Sequence, residues 1–370
     1  MKAVVLTGGF ATRLRPLTLT RPKPLLPILG KPLLDWILES LAKSGVDEVI
    51  LSVRYLADMI KARYGSGERF GLRIRYAEER RPLGDAGPIP LINEMYGLND
   101  TFIVAYGDIF SNIDVNVLLN YHKDKMMEGA LGTLALTPVE DPSRYGVAVL
   151  DEDGRIVEFQ EKPPREKAKS NVVNAGFYIF EPEALNYFPH DKYPSKIARD
   201  VLPRMVEDGV LYGFIHTGLW SDIGVPADYA RANFMALKTY YPEGFIHESA
   251  EISDDAEIIP PVYIGPGTKI ERGSSIGPNV VIEKNVEIGP YTRVRDTVIL
   301  AGVTIEGASV IDGAVIGASC FLGRWARIMR GAVLGDEVVV NPEILIAERV
   351  VVLPYKEIVS SVRKPGEVIL

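Results

Sequence analysis

From Glu251 onward a single spacing governs this chain. Ile252, Ile258, Ile264, Ile270, Ile276, Ile282, Ile288, Val294 and Leu300 fall at every sixth residue. A second series, Val310, Ile316, Leu322, Ile328, Leu334, Val340, Ile346 and Val352, keeps the same step. The ten-residue gap from Leu300 to Val310 predicts one repeat carrying four extra residues. Glycine often follows the aliphatic residue, as at Gly265, Gly277, Gly289, Gly317, Gly323 and Gly335. A sandwich of alternating strands would not hold one phase for so many turns. A β-solenoid does: short strands separated by tight turns, each coil burying its aliphatic residue against the next.

Before about Tyr240 the texture is different. Lys2–Leu6, Val49–Val53, Arg73–Tyr76 and Phe102–Ala105 read as strands. Leu33, Leu34, Ile37, Leu38 and Leu41 recur at helical spacing, with Gly45 as the stop, and a proline-started helix is predicted near Pro88–Tyr96. Strands alternating with helices predict an α/β domain with a mainly parallel sheet covered on both faces, its ligands at the carboxyl ends of the strands. The expected division is a first domain at 1–240, a join at 241–250 punctuated by Pro242 and Gly244, the repeats at 251–352, and a tail at 353–370. The tail ends in Val368-Ile369-Leu370, which could pack or fray.

Composition removes several classes of function. The 370 residues carry a formal charge of −8, so no basic footprint for nucleic acid or an anionic membrane is present. No apolar run approaches the roughly 20 residues of a membrane span. Val4-Val5-Leu6 is too short for a secretory core before Gly8-Gly9 and Arg13, so a cytoplasmic protein is expected. One cysteine, Cys320, excludes an intrachain disulfide, and His122, His190, His216 and His247 lie too far apart for a paired-histidine zinc motif. Gln160 is the one glutamine, and this depletion alongside many charged residues points to heat adaptation.

The chemistry-bearing residues sit at strand ends. Leu6-Thr7-Gly8-Gly9 puts two glycines after a strand, where backbone N–H groups can approach phosphate oxygens closely. Arg13 and Arg15 add positive charge suited to phosphate, and Lys23 is held stiffly between Pro22 and Pro24. Neither a Walker loop nor G-x-G-x-x-G occurs. Phe102–Tyr106 runs into Gly107-Asp108, and Leu219-Trp220-Ser221 into Asp222, each placing a carboxylate at a strand end. Mg²⁺ takes one or two carboxylates together with substrate phosphates, which two such acids would satisfy. Alternation along Arg155–Pro163 sets Glu161 and Lys162 on opposite sides if the strand stays regular.

The run GGFATRLRPLT…PKPLLP, followed in order by GD, YGV, EKP, NAG and the W-x-D-x-G run, resembles the sugar-1-phosphate nucleotidyltransferases. The likeness extends to members that carry a C-terminal left-handed hexapeptide β-helix. It implies a Rossmann-like, mixed, mainly parallel sheet domain followed by a left-handed parallel β-helix. It also implies the reaction of a nucleoside triphosphate with a sugar 1-phosphate to give a nucleotide sugar and pyrophosphate. Carried over by motif, Leu6, Gly8, Gly9 and Arg13 would hold the nucleotide, and Gly84 would line the base pocket. Lys23 would neutralise charge near the reacting phosphorus, and Asp108 and Asp222 would hold Mg²⁺. Lys162 would grip the sugar phosphate, with Gly146, Glu161 and Asn174 around the hexose. Arg81–Pro88, Pro142–Val147, Asn174-Ala175-Gly176 and the ending Val352–Lys356 bring the likeness nearest to members that pair GTP with mannose 1-phosphate. Two positions depart from the family pattern: Ala11 stands for a third loop glycine and Asp85 for a threonine.

The alternatives are thymidylyl or uridylyl transfer to glucose 1-phosphate, an added acyltransferase activity of the repeats, and a non-catalytic regulatory paralogue. Acyltransfer often needs a histidine base, and the last histidine, His247, precedes the repeats. Exposed solenoid faces suit self-association, so a homo-oligomer is expected.

Overall fold

The structure, a computed structural model, describes residues 1–191 and 193–370. The chain divides into two compact units. One comprises Met1–Gly9 and Leu34–Trp220; the other comprises Phe10–Leu33 and Ser221–Leu370.

The first unit is built on a nine-stranded sheet. Its strands are β1 (Lys2–Leu6), β2 (Glu48–Val53), β3 (Arg73–Glu78), β4 (Phe102–Tyr106), β5 (Gly132–Pro138), β6 (Gly146–Leu150), β7 (Ile156–Glu161), β8 (Val172–Phe180) and β9 (Leu211–Ile215). The order is β7-β6-β8-β4-β1-β2-β3, with β5 pairing both β8 and β9. The β4-β1-β2-β3 portion is parallel, whereas β8 runs antiparallel to β4. Helices α1 (Leu33–Lys43), α2 (Ala57–Tyr64), α3 (Pro88–Tyr96), α4 (Val115–Met126) and α5 (Leu202–Glu207) connect and cover these strands. Val4, Ile50, Phe102, Val104, Leu134, Tyr178 and Phe180 are fully buried, as near-continuous apolar strands of a covered sheet require.

Register sets up the site. Leu6 lies opposite Ser52 on one side and Tyr106 on the other, and Val53 lies opposite Glu78. The parallel strands therefore end level. The residues that follow them, Thr7-Gly8-Gly9, Arg54, Glu79 and Gly107-Asp108, emerge along one edge.

In the second unit, α6 (Pro226–Tyr240) precedes the repeats. Their two- and three-residue strands stack into three parallel sheets of eight, seven and six strands. Ile264, Ile270, Ile276, Ile282, Ile288 and Val294 point into a continuous buried core, as the period predicts. The stacking is consistent with a left-handed β-helix. Each strand pairs with the one a full coil on, for example Ile264 with Ile282 and Ile270 with Ile288. Two further strands, Glu357–Ile358 and Val368–Ile369, continue the sheets past Val352. Val368–Ile369 pairs in parallel with Val351–Val352, so the apolar end is held within the chain.

The expected four-residue insertion between Leu300 and Val310 does not occur. Ile282 pairs with Ile299, and Ile299 with Ile316; Val294 pairs with Ile311, and Ile311 with Ile328. The inward series therefore runs Val294, Ile299, Ile305, Ile311, Ile316. Val310 is 36% exposed, and Leu300 is buried but lies outside the solenoid core. The reason is two shortened corners. A left-handed residue recurs at the corners (Gly273, Asn279, Asn285, Tyr291, Asp296, Gly302, Ala308, Gly313, Ser319), stepping by six except from Tyr291 to Asp296 and from Ala308 to Gly313. Each of those two steps is five.

Candidate active site

The edge after β1, β2, β3 and β4 encloses a cleft of about 350 Å³. Leu6, Gly8, Gly9, Gly84 and Asp108, five of the sequence-predicted residues, line it together. Arg54, Glu79, Asp85 and Tyr106 complete much of its wall. Gly8 is tightly placed, for a Cβ there would stand 2.6 Å from Glu79 Oε1. Gly9 has open space where its side chain would be. Gly84 has φ of 82°, and a Cβ would lie 1.9 Å from the Ser195 carbonyl oxygen, so only glycine fits.

Beside Asp108, two further carboxylates shape this cleft. Glu79 accepts from Ser52 Oγ at 2.7 Å and from the Leu83 N–H at 3.4 Å. Burial pushes its pKa up, against the lowering effect of these bonds and of Arg54. Asp85 accepts from the Ile197 N–H at 2.6 Å, at the start of the helical segment leading into α5. Burial raises its pKa as well. The departure at Asp85 thus serves to tie this helical segment to the cleft wall.

Around β6, β7 and β8 a second group assembles. Gly146 lies directly across from Glu161, and a Cβ on Gly146 would meet the Phe159 ring at 2.4 Å. β7 stops at Glu161, and Lys162 takes a left-handed φ of 49°. The regular alternation expected through Lys162 is therefore broken, and Lys162 Nζ approaches Glu161 Oε1 at 3.6 Å. Asn174 sits at an irregularity in the pairing of β8 with β5. Its amide donates to Tyr178 Oη at 2.6 Å, while its Oδ1 accepts from the Gly176 N–H at 2.9 Å. Tyr178 meets Tyr106, a wall of the cleft, edge to face at 5.6 Å between centroids. Trp220 Nε1 donates to the Ala175 carbonyl at 3.0 Å.

The second unit carries Arg13, Lys23 and Asp222. Arg13 is exposed on the short turn Thr12–Leu14, preceded by Ala11 in a left-handed conformation. Lys23 is buried at the start of the turn Lys23–Leu25, and its Nζ donates to the Asp222 main-chain oxygen at 2.6 Å. Lys23 and Asp222 are thus brought together, while Arg13 stands on a separate turn. A mostly apolar cavity of about 680 Å³ also lies in this unit, beside α6, and holds none of the motif residues.

Among the described residues no cluster of three or more His, Cys, Asp or Glu could hold a metal by itself. The donors offered at the strand ends are single hard carboxylates. That set fits Mg²⁺, which completes its shell with phosphates and water, and does not fit a protein-caged metal. Arg54, Glu79 and Tyr106 escaped the sequence reading. The signal that could have found them is position, since each stands at or just after the end of a parallel strand.

The chain belongs to the nucleotidyl transferase family, whose description matches residues 2–239. Residues 258–368 match the GMPPB C-terminal domain. A Sulfolobus acidocaldarius protein named "Putative mannose-1-phosphate guanyltransferase" is 48% identical over 75% of this chain and 74% of its own. The "Mannose-1-phosphate guanylyltransferase catalytic subunit beta" of Danio rerio is 39% identical over 99% of both chains. Among solved structures, a Bacillus anthracis "Putative Glucose-1-Phosphate Thymidylyltransferase" superposes with a TM-score of 0.58 at 26% identity, covering 64% of this chain and 95% of that one. Among the described residues no helix is long and apolar enough to cross a membrane.

Proposed function

We propose that the protein transfers a guanylyl group from GTP to mannose 1-phosphate, giving GDP-mannose and pyrophosphate. An oxygen of the sugar phosphate attacks the α-phosphorus, and the bond from that phosphorus to the pyrophosphate oxygen breaks. The observation that carries the reading is the cleft, which combines glycine backbone, a strand-end carboxylate and half-buried acceptors at one sheet edge. Two anions must meet, so the reaction needs positioning and positive charge more than a proton carrier.

The chain's own groups divide this work. Leu6, Gly8, Gly9 and Arg13 hold the nucleotide, with Gly84 against the base. Glu79 and Asp85 favour guanine, because a carboxylate accepts from the adjacent N1–H and N2–H groups that thymine and uracil lack as a pair. Lys23 neutralises charge near the reacting phosphorus and Lys162 grips the sugar phosphate. Gly146, Glu161 and Asn174 surround the hexose. Asp108 and Asp222 would hold Mg²⁺, which when bound supplies charge neutralisation at the phosphates.

A matrix of nucleoside triphosphates against sugar 1-phosphates, read by pyrophosphate release, tests this. GTP with mannose 1-phosphate should be the best pair; a better rate with a thymidine or uridine triphosphate and glucose 1-phosphate would overturn it. In the same assay Asp108→Asn or Lys162→Ala should lower turnover by about a hundredfold or more. The reading assigns transfer to residues 1–240, with the join at 241–250, the repeats at 251–352 and the tail at 353–370. It includes a cytoplasmic, heat-adapted protein, for which a melting point above about 65 °C is expected. It also includes self-association through the repeats, supported by exposed Tyr291, Trp325 and Tyr355 and read by light scattering.

A further inference from the structure

The solenoid buries two carboxylates outside its aliphatic core. Glu283 and Asp336 are each only 5% exposed. Buried carboxylates need partners, and both find them on the segment Phe10–Leu33 of the same compact unit. Asp336 Oδ2 accepts from Thr20 Oγ1 at 2.6 Å and from the Arg21 guanidinium at 2.5 Å. Its other oxygen accepts from the Ala318 N–H at 2.8 Å, which fixes the carboxylate to the preceding coil. Glu283 accepts from the Gly30 N–H at 2.9 Å, at the tip of the hairpin joining Pro27–Ile28 to Lys31–Pro32. Tyr263 closes on the same tip, since a Cβ on Gly30 would stand 2.3 Å from its hydroxyl.

Helix α6 holds the segment from another side. Tyr229 Oη donates to the Pro27 carbonyl at 2.6 Å, and Asn233 Oδ1 accepts from the Leu29 N–H at 3.2 Å. Lys23 therefore lies between two anchored stretches, Thr20-Arg21 and Pro27–Gly30. Its ammonium is aimed at the Asp222 carbonyl from a backbone pinned at both ends. A rod that served only for self-association would have no need to bury carboxylates against this segment.

We propose that Asp336 is a positioning residue for the transfer reaction: from the repeats it fixes the stretch that carries Lys23. The proposal rests on the reading of Lys23 as the group that neutralises phosphate charge. Asp336 touches no substrate. It acts by keeping Lys23 where its charge counts, and a small misplacement of such a group is costly.

The test is a double-mutant cycle in the full chain, read by pyrophosphate release with GTP, mannose 1-phosphate and Mg²⁺. Asp336→Ala should lower kcat about tenfold or more. In a Lys23→Ala background the same change should lower kcat less than twofold, because the group it positions is gone. Asp336→Asn keeps one acceptor oxygen for the Ala318 N–H and offers Thr20 an amide N–H that its hydroxyl can accept, while losing the charge, so it should fall between wild type and Asp336→Ala. Should the alanine variant not fold, the asparagine variant carries the same cycle. Amide exchange should rise within residues 10–33 and stay unchanged at Ile299 and Ile316. Folded Asp336 variants with wild-type kcat, or with equal fold-losses in both backgrounds, would overturn the proposal. Wild-type turnover in Lys23→Ala alone would instead overturn the role of Lys23, and the proposal with it.

Discussion

At the residue scale, two left-handed positions, Gly84 and Ala11, make opposite demands. Gly84 has φ of 82° and no room for a side chain beside the Ser195 carbonyl. Ala11 has φ of 47° and ψ of 45°, a conformation that costs an alanine about 1 kcal/mol. Gly84→Ala should therefore destabilise by more than about 3 kcal/mol, since strain and a backbone collision combine. Ala11→Gly should change stability by less than about 1 kcal/mol, relief of strain offsetting the added freedom of the unfolded chain, and should leave turnover intact. Urea titration of both variants, with pyrophosphate release for the second, checks this pair. A stable Gly84→Ala would mean that the close approach to Ser195 is not needed. The motif glycines were legible because turns and close approaches select glycine directly. Glu79 and Arg54 were not, because a lone charged residue after a strand reads as solvated surface until register shows which strand ends are level. Lys162 was legible as a residue but not as a conformation, since Pro163 announces the end of β7 but not that Lys162 already turns left-handed.

Elements were legible where their period is strong. The four parallel strands, α1 and α3 fall where alternation and helical spacing put them. In the repeats the period gave the fold but lost phase at two corners. Val298-Ile299-Leu300 and Val310-Ile311 each offer adjacent aliphatic residues, so hydropathy cannot tell which one points inward. Chain pairing decides it: Ile311 lies between Val294 and Ile328, while Val310 lies beside Arg293 and Arg327. Ile311→Ala should cost about 2–5 kcal/mol, through lost burial and the cavity left behind. Val310→Ala should cost within about 0.5 kcal/mol, as a surface change does. Denaturant midpoints of the two variants separate the alternatives, and the reverse order would restore an insertion in place of two short corners.

At the scale of the whole molecule, packing regroups what the sequence orders. Residues 10–33 belong to the compact unit that holds the repeats, through Glu283, Asp336, Tyr229 and Asn233. Such polar ties carry no periodic signal, so a change of texture near Tyr240 cannot reveal them. They do have a pH signature. Burial pushes Glu283 up to about 7, with the Gly30 N–H, Arg21 and Lys284 pulling it back. Tyr263, Tyr229 and Asp336 share its surroundings. Its folded pKa lies above the unfolded value near 4.5, so the folded state binds the extra proton between those values. The stabilising contribution is complete below about pH 4.5 and is lost as pH rises through about 7, on the order of 3 kcal/mol in all. Glu283→Gln keeps an oxygen for the Gly30 N–H and removes the ionisation. The variant should therefore match wild type at pH 5 and exceed it by pH 9, with the difference opening between them. Urea midpoints for both proteins at pH 5, 7 and 9 measure that difference directly. A wild type as stable as the variant at pH 9 would show that the carboxylate is solvated or fully paired when ionised, and that the hairpin tip is not sealed against the solenoid.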